Sequence, residues 1–147
     1  MSPGLPPFDA EGLLPAGIHE GTFDEILERC GFNRQRVELL EKLNEYLREL
    51  AQWPLAQAVL IDGSFATSHL EPNDIDVIVV LRDDYDLTQP VSPFAYNLRS
   101  RRSVLRRFGL DLFVVRPHSP ELAGFVEFFG KIRGREDRSK GIIKVRP

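Results

Sequence analysis

The chain has little that would cross a membrane, cross-link it or let it bind nucleic acid at large. Of its 147 residues one is a cysteine, Cys30, and one a tryptophan, Trp53. A lone cysteine excludes a disulfide framework and a cysteine-based zinc site within the chain, and it suits a reducing cytoplasm. No apolar run approaches the length of a membrane span. Met1 is followed by Ser2-Pro3-Gly4-Leu5-Pro6-Pro7, without the basic and apolar regions of a signal peptide, so a cytoplasmic protein is expected. The formal net charge of −3 lacks the basic character of a general nucleic-acid binder. No Gly-x-x-x-x-Gly-Lys-Ser/Thr run occurs, which excludes a P-loop. No internal repeat and no low-complexity segment is visible.

What remains is an ordinary globular composition, 42% hydrophobic and 28% charged. The length suits one domain over 1–147 with one sizeable core. Residues 1–21, rich in Pro and Gly but carrying Leu5, Phe8, Leu13, Leu14 and Ile18, read as an extended arm packed on that domain. Thr22 and Glu25 form a capping box that opens a short helix ending near Cys30-Gly31. Asn33 caps a long helix to about Ala51, with Val37, Leu40, Leu43, Leu47 and Leu50 as its buried stripe. Ala56 to Ile61 reads as a strand and Asp74 to Leu81 as a second, central one. A helix is predicted from Pro93 to about Phe108, a third strand over Leu110 to Val115, and a helix from Pro120 through Phe129. Gly134 to Lys140 reads as a charged loop and Gly141 to Val145 as a last, edge strand. The link between the first two strands is too short for a crossover helix, so they pair antiparallel. The fold class is α+β, a mixed sheet with helices packed on it.

The chemistry is concentrated at Gly63-Ser64 and Asp74-Ile75-Asp76. Two carboxylates two residues apart on a strand point to one face. Held that close they repel, unless one is protonated or a cation lies between them. A divalent metal is the simplest cation, and a Gly-Ser turn upstream offers close backbone approach and a hydroxyl to phosphate. A turn reading explains Asp74 in Pro72-Asn73-Asp74, but not Asp76 or Asp111 inside apolar strands.

This pattern resembles the polymerase-beta-type nucleotidyltransferase superfamily. Gly63-Ser64 is followed by nine residues, then by Asp74-Ile75-Asp76-Val77, and a later strand reads Leu110-Asp111-Leu112. Asp62 departs from the pattern, which has a hydrophobic residue before the glycine, and reads as a solvated turn residue. Leu5-Pro6-Pro7-Phe8, residues 13–19, Gly63 to Thr67 and Lys140 to Lys144 are also similar to a small uncharacterised bacterial family of nucleotidyltransferase-like proteins. The resemblance implies a nucleotidyltransferase fold and a minimal enzyme that moves a nucleoside monophosphate from an NTP to an acceptor hydroxyl with Mg²⁺ or Mn²⁺. Asp74, Asp76 and Asp111 would be its catalytic and metal-binding residues, with Asp111 beside the attacking hydroxyl. Gly63 and Ser64 would meet the β- and γ-phosphates. The acceptor would be a protein or an RNA, presented by a partner, by a homodimer or at the surface. For members of this size the resemblance suggests a toxin–antitoxin module. A nucleotide sensor, a nuclease and a catalytically silent antitoxin or interaction module are the competing readings.

Other residues carry less. Arg99, Arg102 and Arg106 step by three and four on the predicted helix 93–108, so they share a face. Arg99 and Arg102 are the candidates there for triphosphate or RNA binding, against a solvated face balancing the helix dipole. Lys140 and Lys144 read as surface lysines within reach of phosphate, and His19, His69 and His118 as loop residues. Cys30, Trp53, Phe125, Phe128 and Phe129 read as packing residues.

Overall fold

A computed structural model of the chain describes residues 5–132 and 135–147, with the side chains of 64, 132 and 135–139 outside that description. In chain order its elements are β1 (Gly17–Glu20), α1 (Phe23–Cys30), α2 (Arg34–Leu50), β2 (Ala56–Asp62), a 3-10 turn (Gly63–Ala66) and β3 (Ile75–Leu81). There follow α3 (Pro93–Leu98), α4 (Arg101–Phe108), β4 (Leu110–Val115), α5 (Pro120–Gly130), β5 (Lys131–Ile132), β6 (Arg135–Ser139) and β7 (Gly141–Val145). The main sheet has the order β1-β7-β2-β3-β4. Its outer pairs are parallel and its two inner pairs antiparallel, so the class is α+β with a mixed sheet.

Local chemistry places the helices where the sequence does. Thr22 and Glu25 close their capping box reciprocally, at 3.0 and 3.2 Å. The Asn33 side chain accepts from the Arg36 N–H and starts α2. Ser119 caps α5 with proline at its first position.

Four expectations need correction. The arm over 1–21 carries a strand: β1 pairs parallel with β7 from Gly17↔Gly141 to Glu20↔Lys144. β7 is therefore interior, and β1 and β4 are the edges. The stretch expected as a loop over 134–140 holds β6, paired with β5, while 133–134 lie outside the described residues. The helix expected over 93–108 is two helices, because Ser100 turns extended and caps α4 with its own hydroxyl on the Ser103 N–H.

Strand parity separates two layers. Odd residues of β2 and β3, with Leu110, Leu112, Ile143 and Val145, pack under α1, α2, α3 and α4 in the larger core. Even residues Ala58, Leu60, Ile78 and Val80 pack with Ile142, Val115 and the half-buried Phe113, Phe125 and Phe129. α5 covers that second face, but its Phe128 is 69% exposed rather than core.

Candidate active site

The strand registers lay three aspartates in one row. Asp62 on β2 opposes Asp76 on β3, and Asp76 opposes Asp111 on β4. The next row on the same face, Leu60, Ile78 and Phe113, is apolar and lies under α5. The acids thus occupy the end of the face, at the start of β3 and β4. Asp74 stands just ahead of β3. Carboxylate oxygens of Asp74, Asp76 and Asp111 all lie within 4.8 Å of one another.

Such closeness has an electrostatic cost, and the acids carry it. Burial pushes the Asp76 carboxyl up to about 6, helped by the charges of Asp74 and Asp111. Burial, then Asp111, raises Asp74. Asp62 is 1% exposed, and neither of its oxygens finds a hydrogen-bond partner among the described residues. Burial above all, then Asp76, pushes it up to about 8. Asp62 is therefore no solvated turn residue: it is a buried acid extending the row. Its signal lay in the strand, since Asp62 ends an apolar run at the same parity as Leu60.

The arrangement fits a hard divalent cation. Its donors are carboxylate oxygens, which suit Mg²⁺ or Mn²⁺. A raised carboxyl beside unpartnered buried oxygens is the electrostatic state that a cation relieves. Gly63 adds a steric mark. Its φ is +75°, and a Cβ built there would stand 2.1 Å from Asp76 Oδ2. Gly63→Ala is expected to lower Mn²⁺ affinity at least about tenfold and to cost ~1–2 kcal/mol of stability for the left-handed backbone alone. Titration of Mn²⁺ by its electron-spin resonance, beside thermal unfolding, measures both.

The titration has a definite sign. In the unfolded chain these aspartates lose their protons near pH 4. In the folded, metal-free chain Asp76 and Asp62 hold theirs to about 6 and about 8. Between those limits the folded state binds more protons, so stability is full below pH 4 and falls as pH rises through 6 and 8. Metal-free protein is expected to show a thermal midpoint that declines from pH 5 to 8.5, with Mg²⁺ reversing much of the loss. A midpoint that rises over that range would show that the acids do not repel.

The turn that carries Gly63 is held from below by α2. Arg36 is fully buried and donates to the carbonyls of Phe65 (3.0 Å), Thr67 (2.5 Å) and His69 (2.9 Å), and to Cys30 of α1 (3.1 Å). Its guanidinium stacks on Phe32 and Phe65. Asn33 holds the Leu70 carbonyl at 2.7 Å and Gln35 that of Pro72 at 2.9 Å. One turn of helix thus fixes five carbonyls of the link between Gly63 and Asp74. Nothing in the sequence marked Arg36, which reads as one more polar residue of an amphipathic helix.

The arginines distribute otherwise than the helical spacing predicts. Arg101 donates to Asp111 Oδ1 from Nε at 3.2 Å and from its terminal nitrogen at 2.9 Å, and stacks over Phe113. Arg99 follows α3 and lies over Tyr85 and Tyr96. Tyr85 follows the far end of β3, so Arg99 is not brought to the acids. Arg102 is exposed in the first turn of α4. Because α3 ends before α4 begins, Arg99 shares no helix face with Arg102 and Arg106. Ser64 stands in the 3-10 turn, and its side chain lies outside the described residues. Lys140 is half buried, and Asp62 and Asp76 act on its ammonium through space.

Among the described residues no helix is long and apolar enough to cross a membrane. The profile of a family described as a family of unknown function (DUF6932) matches residues 6–146. No curated protein and no solved structure matches the chain.

Proposed function

The chain belongs to the DUF6932 family of unknown function, so its activity has to be read from the site itself, and we propose that it is a Mg²⁺- or Mn²⁺-dependent nucleotidyltransferase. The observation that carries this reading is the triad of Asp74, Asp76 and Asp111, with Asp76 lying so close to the glycine turn that a Cβ on Gly63 would collide with it. Asp74, Asp76 and Asp111 would hold the metal, which when bound neutralises phosphate charge and makes an acceptor hydroxyl more acidic.

The chain's own residues supply the rest. Gly63 lets the Asp76 carboxylate lie against the turn, and its backbone would offer an N–H to a phosphate there. Asp111 accepts from Arg101 at Oδ1 and would serve the cation or the acceptor proton with its carboxylate so held. Arg101 thereby sets the orientation of that carboxylate from the edge of the sheet. In the transfer, the acceptor oxygen bonds to the α-phosphorus, the α–β bridging bond breaks, and pyrophosphate leaves with the bridging oxygen. The buried, unpaired Cys30 suits a reducing cytoplasm.

The test is incubation with each α-labelled NTP and Mg²⁺, using total cellular RNA and then cell lysate as acceptors. Transfer by the wild type and none by an Asp74→Ala/Asp76→Ala variant is the expected result. Mg²⁺-dependent NTP binding without transfer would indicate a sensor. The absence of both metal and nucleotide binding would sink the proposal and leave an interaction module.

A further inference from the structure

Lys140 is a cation close enough to the row for Asp62 and Asp76 to act on it through space, and it has no ion pair with a carboxylate among the described residues. It stands one residue ahead of β7 and two from Ile142, which packs in the α5-side core. That parity puts it on the face of the acids. Its backbone is pinned twice: its N–H donates to the Gly130 carbonyl at 2.8 Å, and the next N–H, of Gly141, to Leu14 at 3.0 Å. Gly141 fits so closely that a Cβ would stand 2.4 Å from the Pro15 carbonyl oxygen. The side chain is half buried and lines a cavity of about 280 Å³ between β1, β7 and α5, shared with Ile18, Val126 and Glu127, whose carboxylate pairs with Lys131. Small molecules in that cavity have access to it.

A structural counter-ion would be in contact with its acid. Lys140 is not, because both Asp62 oxygens lack any hydrogen-bond partner and no described carboxylate lies within ion-pair reach of the ammonium. A half-buried ammonium on which Asp62 and Asp76 act only through space is incompletely compensated among the described residues. A polyanion arriving at the acids would supply the missing contact. Lysine suits that role, since a flexible point charge binds phosphate without a fixed fork. The other cation seen on the row, Arg101, is committed to Asp111 at the opposite end.

We infer that Lys140 binds the β- and γ-phosphates of the incoming nucleotide, at the Asp62–Gly63 end of the row. The inference rests on the nucleotidyl-transfer reading above. It makes the phosphate tail approach from the β7 side, and leaves the β4 side, with Arg101, to the acceptor.

The test uses inorganic tripolyphosphate, which carries the phosphates without a base, on the full chain with saturating Mn²⁺. Lys140→Met is expected to weaken tripolyphosphate binding at least about tenfold without weakening Mn²⁺ binding, since it removes a positive charge near the acids. Lys140→Arg is expected to remain within a few-fold of the wild type. Where NTP transfer is measured, Lys140→Met raises KM more than it lowers kcat. Wild-type tripolyphosphate affinity in Lys140→Met, in a protein that transfers label, overturns this inference and leaves the transferase reading intact. Failure of the wild type to bind Mn²⁺ and tripolyphosphate overturns both.

Discussion

Asp76→Asn is expected to abolish nucleotidyl transfer, by at least about 10³-fold, while making the metal-free protein harder to melt. The two effects share one cause. Asp76 sits in the middle of the row, with Asp62 across one strand and Asp111 across the other. It is the carboxylate a bound cation needs most, and the one its neighbours tolerate least. The amide keeps the shape, so the core row beneath, Leu60, Ile78 and Phe113, is undisturbed. Asp76 is partly open to solvent, which screens the repulsion, so the relief at pH 8 is put at ~1 kcal/mol. For a chain of this length that is about 2–4 °C in midpoint. The gain should shrink toward pH 5, where Asp76 already carries its proton, and should reverse in Mg²⁺, which stabilises the wild type alone. Calorimetric scans at pH 5 and 8, with and without Mg²⁺, beside the labelled-NTP assay, measure all of this. A variant that melts lower at pH 8 without metal would mean that Asp76 is structural.

Arg36→Met should be the most destabilising substitution in the chain among those argued from its hydrogen bonds. Methionine fills much of the volume but returns no donor to the carbonyls of Cys30, Phe65, Thr67 and His69. Breaking a buried charged network from one side costs about 3–5 kcal/mol, which for this length is roughly 10 °C. Arg36→Lys keeps a charge but offers one nitrogen where the site uses a planar fork between two aromatic rings, so it should recover less than half of the loss. Function should suffer beyond stability. At a temperature where the variant is fully folded, Mn²⁺ affinity is expected to fall several-fold, because the link between Gly63 and Asp74 has lost its anchor. Equal Mn²⁺ affinity in the folded variant would show that the turn holds its shape without Arg36.

What could be read from the residues alone follows a physical division. Asp76 and Asp111 were legible because a charge inside an apolar strand conflicts with its surroundings, and such a conflict marks a site. The capping box at Thr22 and the caps at Asn33 and Ser119 were legible because they are local. The clamp by Arg36 was not, since its partners lie about thirty residues away and are backbone carbonyls that any sequence would present. Asp62 was misjudged for the opposite reason. Its neighbour Gly63 signals a turn, and turns are wet as a rule, but Asp62 is still the last residue of β2 and is 1% exposed. The break between α3 and α4 was hidden by a run of good helix formers, which Ser100 interrupts with its own cap. β1 was missed because four residues without alternation carry no strand signal, and because its partner β7 lies more than a hundred residues further on.

The place of β7 in the sheet has a consequence for how the protein comes into being. It is made after every other strand of this sheet, yet it belongs between two strands made much earlier. Until it arrives, β1 has no partner and β2 carries a bare edge through Val59, Leu60 and Ile61. The β2–β3–β4 ladder can zip during synthesis and set out the row of acids, but it waits with one apolar edge open to other nascent chains. Lys140 leaves the ribosome just before β7, so the acids are assembled before the cation that faces them. Crowded synthesis should therefore tax this chain most in the interval before β7 emerges.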